Sequence, residues 1–361
     1  MAALILRDSA RLQEQDAAYL NRIEKTRHSP ALPLYDGADA ERALERFKTR
    51  PFNRPFAVRP GVRARFRRAG HILGAAIVEI EWGSRRVVFS GDLGRYDDPV
   101  MWDPEPVPEA DFVVIESTYG DRLHDGVDAA SALLEVVART TKRGGTVIIP
   151  SFAVGRAQSL LYYLWSLRES GRLPDVPIYL DSPMAIDASD LLHAHNSDHR
   201  LDWATCTAVC RIATYTRSAE ESKRITASRD PKIVVSASGM ATGGRILHHV
   251  KTFGPDPRNT ILITGFQAAG TRGRALLEGR RELRIHGDRV DIGAEVATLP
   301  MLSAHADANE LLRWLRGFRE APERVFVVHG EPQAADTFRS RVDHELGWPA
   351  VVPRPNQVFT L

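Results

Sequence analysis

Cysteine is scarce in this chain: its 361 residues include two, Cys206 and Cys210. With no second pair, a structural zinc site built on thiolates is not expected. If their segment is helical, the spacing sets both thiols on one face. Two free thiols fit a reducing cytoplasm, the expected compartment. Long apolar runs are missing as well. None approaches the roughly 20 residues that cross a bilayer, so no membrane association is expected. The opening MAALILRDSARLQEQD has no basic leader and no small-residue cleavage site, so it does not read as a signal peptide. Net charge is only +2, which leaves no global field for a polyanion. Any nucleic-acid contact must come from local basic groups. The densest comprises Arg63, Arg65, Arg67 and Arg68. It is expected to be an edge strand with solvated arginines rather than a dedicated RNA groove. Repeats and low-complexity tracts are absent too.

The length fits two domains, or one domain carrying a large insertion. Hydrophobic content of 43% and charged content of 26% are ordinary for a globular chain. Residues Asp8–Lys25 read as a surface helix, Ala38–Phe47 as a second helix, and Pro51–Pro60 as a loop. Up to Glu116 the pattern is mostly β: Val62–Phe66, a hairpin of Ala75–Trp82 and Arg86–Phe89 around Gly83-Ser84, then Asp111–Ile115. From Asp128 short apolar runs alternate with helices. Thr146–Ile149 precedes Gly155–Leu167, Ile178–Leu180 precedes Ala185–Leu192, and Lys232–Val235 precedes Gly244–Val250. Ile261–Thr264 is a further run. Such βα alternation predicts a parallel sheet covered on both faces. The tail reads as helix Ala308–Arg316, strand Val325–Val328, helix Gln333–Leu346 and strand Gln357–Leu361.

The hairpin brings its two ends together. His71 enters its first strand and Asp92 leaves the second, so an imidazole and a carboxylate converge as candidate zinc ligands. Ligands also collect beyond the carboxyl ends of parallel strands. The residues there include Asp92, Glu116, Ser151, Asp181, Ser236, Ser238, His305 and His329. Asp307 is placed to cap the helix beginning at Ala308. Two glycine-rich stretches, Ser238–Arg245 and Gly270–Arg274, run toward helices. Their small residues let backbone N–H groups approach a phosphate; ordinary turns that need glycine are the alternative. Arg156 opens the helix after Ser151.

In order along the chain stand GHILGA, SGDLG, ESTYGD, PSFAVGRAQ, DSPMA, SGMATGGR, GTRGR, SAHAD and VVHGE. As an ordered set they resemble the β-CASP branch of the metallo-β-lactamase fold. The likeness is to its RNA-processing members, including the nuclease subunit of the eukaryotic polyadenylation machinery and its bacterial and archaeal relatives. It covers essentially the whole chain. The fold it implies is α/β: a metallo-β-lactamase αββα sandwich, truncated at its N-terminus, with an inserted doubly wound α/β β-CASP domain. The expected divisions are 1–127 for the first part of the lactamase lobe, 128–258 for the β-CASP domain, and 259–361 for the returning lactamase part.

The resemblance also implies roles. His71 is a ligand of the first zinc, Asp92 bridges both zincs, and His329 binds the second. Glu116 orients His305, which protonates the leaving oxygen. A histidine at position 329 goes with RNA-acting members, whereas DNA-acting ones usually carry valine. Two zincs in the family polarise a phosphate and activate the attacking water. Single-stranded RNA is then the expected partner. The residues expected to contact it are Arg156, Ser238, Gly239, Gly243, Arg245, Thr271, Arg272 and Gly273.

One departure stands out. The family signature H-x-H-x-D-H, which supplies four zinc ligands, does not occur. In the family it lies upstream of a segment resembling Leu4–Asp16, so the expectation is a chain that has lost its start and carries an incomplete dizinc site. His193, His195 and His199 imitate the signature with one residue too many before Asp198, and are expected to be a solvated helix end. His248 and His249 read as packing or surface residues. The leading reading is a zinc-dependent ribonuclease. A non-catalytic RNA-binding subunit and a lactamase-fold hydrolase of DNA or small molecules are the alternatives. The retained His71, Asp92, Glu116, His305 and His329 favour the first. Cleavage mode and oligomeric state are not written in the sequence, and a homodimer stays open.

Overall fold

The computed structural model describes residues 1–24, 26–124 and 126–361. Lys25, the last residue of the expected first helix, lies outside them. The chain divides into two compact units, Met1–Arg50 and Pro51–Leu361. In the first, α1 (Ala2–Arg22) packs on α2 (Gly37–Leu44). The first helix starts at Ala2 rather than Asp8 because Ala2–Leu6 is a run of good helix formers. α2 opens on a capping box: Asp36 accepts from the Asp39 N–H at 2.8 Å, and Asp39 accepts from the Asp36 N–H at 3.2 Å. Arg7 pairs with Glu41 at 2.6 Å across the two helices.

The second unit opens with five strands: β1 (Phe56–Arg59), β2 (Val62–Arg68), β3 (Ala76–Trp82), β4 (Arg85–Phe89) and β5 (Phe112–Glu116). An α/β stretch follows: α3 (Ala129–Lys142), β6 (Val147–Pro150), α4 (Arg156–Glu169), β7 (Ile178–Leu180), α5 (Pro183–Ala194), α6 (Trp203–Arg211), β8 (Thr214–Tyr215), α7 (Ala219–Ala227), β9 (Ile233–Ser236) and α8 (Ile246–Phe253). The remainder is β10 (Thr260–Thr264), α9 (Arg272–Leu277), β11 (Glu282–Ile285), β12 (Asp288–Asp291), β13 (Glu295–Leu299), α10 (Ala308–Leu315), β14 (Arg324–Val328), α11 (Pro332–Arg341) and β15 (Ala350–Val351).

Two sheets organise these elements. The first runs β1-β2-β3-β4-β5-β14-β15 and is mixed, antiparallel through the hairpins and parallel from β4 onward. Of the expected αββα sandwich, the described residues supply this sheet and the helices on one of its faces. Strand alternation assigns its side chains. Val88, Val113, Ile115, Val325 and Val327 join Leu311, Leu312, Leu315 and Phe338 of α10 and α11 in one core. Their neighbours Val87, Phe112 and Phe326 cluster with Phe359 on the other face. Burial of apolar area at about 25 cal/mol per Å² makes such cores the main stabilising term.

The second sheet runs β13-β10-β6-β9-β7-β8, and every pairing is parallel. All residues of β6, β9 and β10 are buried. Continuous apolar strands require cover on both faces, and α3 and α8 both pack on β6. This is the parallel α/β module expected from the alternation after Asp128.

Three expectations are corrected. The division at 258/259 fails because β10 is an interior strand, paired with β6 on one side and β13 on the other; the chain returns to the first sheet only at β14. The arginine-rich β2 is not an edge: it lies between β1 and β3, with Arg68 paired to Glu105 at 3.0 Å and Arg67 paired to Glu79. Gln357–Leu361 is not a strand. Pro353, Pro355 and a left-handed Asn356 (φ 64°) interrupt the ladder, so the sheet ends at β15.

Candidate metal centre

Parallel strands carry their carboxyl ends to one place, and that place is built from β4, β5 and β14. Val328 is in register with Glu116, the last residue of β5, so His329 emerges directly beside it. Asp92 follows β4 after a left-handed Gly91 (φ 56°). His71 stands before β3, where Gly70 bridges Leu93. The fifth residue arrives from far along the chain: His305 bridges Gly94 in antiparallel fashion. Gly94 is needed there, since a Cβ would lie 2.1 Å from the Gly70 carbonyl carbon. His329 adopts φ 68°, a conformation that side chains rarely take and that clusters at functional sites.

Asp92 is the hub. One carboxylate oxygen lies 4.0 Å from His71 Nε2 and the other 3.3 Å from His329 Nδ1. Among the described residues no other donor is hydrogen-bonded to it. His329 Nδ1 is also 3.1 Å from the Thr118 hydroxyl. Burial, with the His305 imidazole beside it, pushes His71 down to about 4. It is therefore a neutral imidazole with a lone pair to give. Nitrogen and carboxylate donors of this kind suit zinc. Ligand atoms of His71, Asp92 and His305, and of Asp92, Glu116 and His329, lie within 4.8 Å of one another in each group, so Asp92 is shared by two sets of donors that fit a metal ion.

Glu116 and His305 form a separate pair. Glu116 is 2% exposed. His305 Nδ1 lies 3.1 and 3.2 Å from its two oxygens, the Leu93 N–H donates at 2.6 Å, and the Thr118 N–H at 3.3 Å. Burial alone would push the Glu116 carboxyl up. The hydrogen bond to His305, backed by Thr118 and the neighbouring His71 imidazole, outweighs it and holds the carboxyl below the usual range. Glu116 thus accepts from His305 and from two backbone N–H groups while it also lies within reach of Asp92 and His329. The two imidazoles of His71 and His305 lie 4.3 Å apart between ring centres.

A further layer was not foreseen from the sequence. His124 Nε2 donates to the His305 carbonyl at 2.8 Å, and the His124 N–H donates to Asp307 at 2.9 Å. Asp307 in turn caps α10, as expected, by accepting from Asn309 and Glu310. Tyr119 places its ring 5.3 Å from His124 and 6.3 Å from His305. The only trace in the sequence is the polar run that follows Glu116.

The residues expected to contact phosphate are already engaged with protein groups. Arg156 is 6% exposed and donates to the Thr264 carbonyl, beneath a left-handed Gly265 whose Cβ would collide with the guanidinium. Burial pushes it down to about 10. Arg245 donates to Asp181 at 2.7 Å and to the Thr216 and Arg217 carbonyls. Arg272 donates to the Ala241, Thr242 and Arg284 carbonyls. All three tie loops together. Ser238 Oγ already accepts from the Thr242 and Gly243 N–H groups at 3.0 and 3.4 Å. Thr271 caps α9, and Gly273 is small because Gln267 Oε1 would meet a Cβ at 1.7 Å. Gly239 lies against Phe152. These residues close loops and fill turns.

The remaining histidines behave structurally. His193 packs on Trp203 with ring centres 4.0 Å apart, and buried His199 bonds the Leu192 carbonyl at 2.9 Å. Asp198 pairs with Arg68 at 3.3 Å. Only His195 fits the expected solvated helix end. His248 stacks on His286, and His249 is buried against Asp181 at 2.6 Å. Cys206 and Cys210 share α6, as their spacing suggests.

A mixed sheet that gathers imidazoles and carboxylates at its parallel strand ends, joined to an all-parallel α/β module, defines a metallo-hydrolase class of architecture. Residues 157–276 match the Beta-Casp domain, and residues 289–353 match the Zn-dependent metallo-hydrolase RNA specificity domain. A Thermus thermophilus ribonuclease is 38% identical over 314 residues, covering 83% of this chain and 70% of that protein. An RNase J-like protein of Methanocaldococcus jannaschii is 31% identical over 328 residues, covering 88% and 76%. Transcription termination factor FttA of Pyrococcus abyssi is 32% identical over 333 residues, covering 87% of this chain and 51% of that protein. The chain belongs to the β-CASP family of the metallo-β-lactamase fold. It is a metal-dependent hydrolase by that membership. None of its helices is long and apolar enough to cross a membrane, among the described residues.

Proposed function

We propose that the protein hydrolyses phosphodiester bonds in single-stranded RNA, with His71, Asp92 and His329 holding two zinc ions between them. The names of the related ribonucleases and the matched RNA specificity domain support an RNA substrate. The observation that carries the reading is the hub at Asp92, with one imidazole facing each oxygen and the Glu116–His305 pair alongside. When bound, zinc supplies Lewis acidity toward a phosphoryl oxygen and a nucleophilic water at neutral pH. Glu116 fixes Nδ1 of His305 toward itself. That leaves Nε2 as the atom that passes a proton to the leaving oxygen. His124 and Tyr119 hold the His305 segment in place from behind. The β-CASP portion, on this reading, extends through β13 rather than ending at residue 258.

The test compares matched RNA and DNA single strands in zinc buffer, with the chain supplemented by a fragment carrying the family's H-x-H-x-D-H segment and with a chelator control. Chelator-sensitive cleavage of RNA, with DNA cut at least tenfold more slowly, is the expected result. Equal cleavage of both, or cleavage that survives chelation, would contradict the proposal.

A further inference from the structure

Three neighbouring strands, β10, β6 and β9, deliver their following loops to one edge of the parallel sheet. The middle loop carries Phe152, which is 38% exposed while every residue of those strands is buried. Its ring rests on Gly239: a Cβ there would lie 2.7 Å from Phe152 Cδ2 and 2.9 Å from Cε2. The Arg156 guanidinium sits 6.0 Å from the ring centre. The neighbouring loops are tied down, since Arg156 donates to the Thr264 carbonyl and Gln267 to the Gly239 carbonyl at 3.0 Å. A few residues on, Gly155 lies against Ile72, the neighbour of His71, where a Cβ would meet Ile72 Cγ2 at 2.7 Å. The loop carrying Phe152 thus packs on the segment that brings His71 to the metal centre.

An exposed aromatic ring on a braced loop beside a phosphodiesterase centre has a specific use. Arg156, Arg245 and Arg272 are all engaged with protein acceptors. These loops therefore hold substrate by a π-face better than by charge. We propose that Phe152 is the platform on which a nucleobase of single-stranded RNA stacks beside the phosphate under attack. The proposal rests on the RNA-hydrolase reading above. Stacking of a base on an aromatic side chain is worth about 1–3 kcal/mol by alanine substitution, or roughly 5- to 150-fold in affinity.

The experiment measures binding of a short oligouridine to the full chain by fluorescence anisotropy, with chelator present to prevent cleavage. An abasic oligomer with the same sugar-phosphate backbone serves as the second ligand. Phe152→Ala should weaken oligouridine binding roughly 5- to 150-fold, and Phe152→Trp should retain it. Wild type should bind the abasic oligomer no better than Phe152→Ala does. Wild-type affinity in Phe152→Ala overturns the stacking role while leaving the RNA reading intact. Equal loss in the alanine and tryptophan variants also overturns it, by showing that loop shape rather than stacking matters. Failure of wild type to bind either oligomer overturns this inference and the RNA reading together.

Discussion

Expressed by itself and supplied with zinc, the 361-residue chain should hold the metal weakly and cut RNA poorly. The reason is a count of free donors. On the proposed reading His71 and Asp92 serve one ion and Asp92 and His329 the other, while Glu116 and His305 are engaged with each other. Catalytic zinc normally takes three protein ligands. Losing outer-shell partners alone costs about 10–100-fold in metal affinity or activity, so an inner-shell shortfall costs more. Supplying a peptide or fragment with the family's H-x-H-x-D-H segment should raise bound zinc toward two ions per chain and cleavage by more than about 100-fold. Metal analysis and a single-stranded RNA assay, before and after the addition, check this. Two tightly held ions and robust cleavage without any addition would mean that other residues complete the site.

In the zinc-loaded, complemented protein, His305→Ala should lower kcat by roughly 100- to 10,000-fold, the usual worth of a positioned general acid. Zinc content should not change. Glu116→Gln should act through the same step, because the carboxylate is what holds His305 Nδ1 at 3.1 Å. The two losses should therefore combine far less than additively. The distinction is real at this site: ligand atoms of His71, Asp92 and His305 all lie within 4.8 Å of one another. If His305→Ala sheds zinc in step with activity, the residue is a ligand and the acid role is wrong.

The parts of this centre that could be read from the sequence share a physical trait. They sit at the ends of short apolar runs whose direction is fixed by local pattern. Ile178–Leu180 is a strand to the residue, and the hairpin from Ala76 to Phe89 is as expected apart from its ends. His71, Asp92, Glu116 and His329 follow from such ends. His305 is legible only as a polar residue near the end of an apolar run, and its role only through the motif resemblance, since a bridge to Gly94 across two hundred residues leaves no local periodicity. His124 left none either, because its work is a single bond to a distant carbonyl.

What the sequence leaves open is equally instructive. Glycines next to arginine suggest a phosphate cradle. In the structure Gly273 is small beside Gln267 Oε1, and Gly239 is small so that Phe152 can lie on it. Close approach of protein to protein and of protein to phosphate require the same residue, and sequence does not separate them. The β11–β12 hairpin was missed because its turn is His286-Gly287, both at positive φ, without the usual asparagine or aspartate signal. The boundary at 258 failed because Thr260–Thr264 reads the same whichever sheet receives it; only its pairing with Val147 and Glu295 assigns it.

The central claim is that Asp92 joins two metal positions, one on each carboxylate oxygen. Zinc stoichiometry in the complemented protein tests it most directly, comparing wild type with His71→Ala, His329→Ala and Asp92→Ala. The expected result is that each histidine variant weakens one ion and the aspartate variant weakens both. Two ions retained at wild-type affinity in Asp92→Ala would contradict the account.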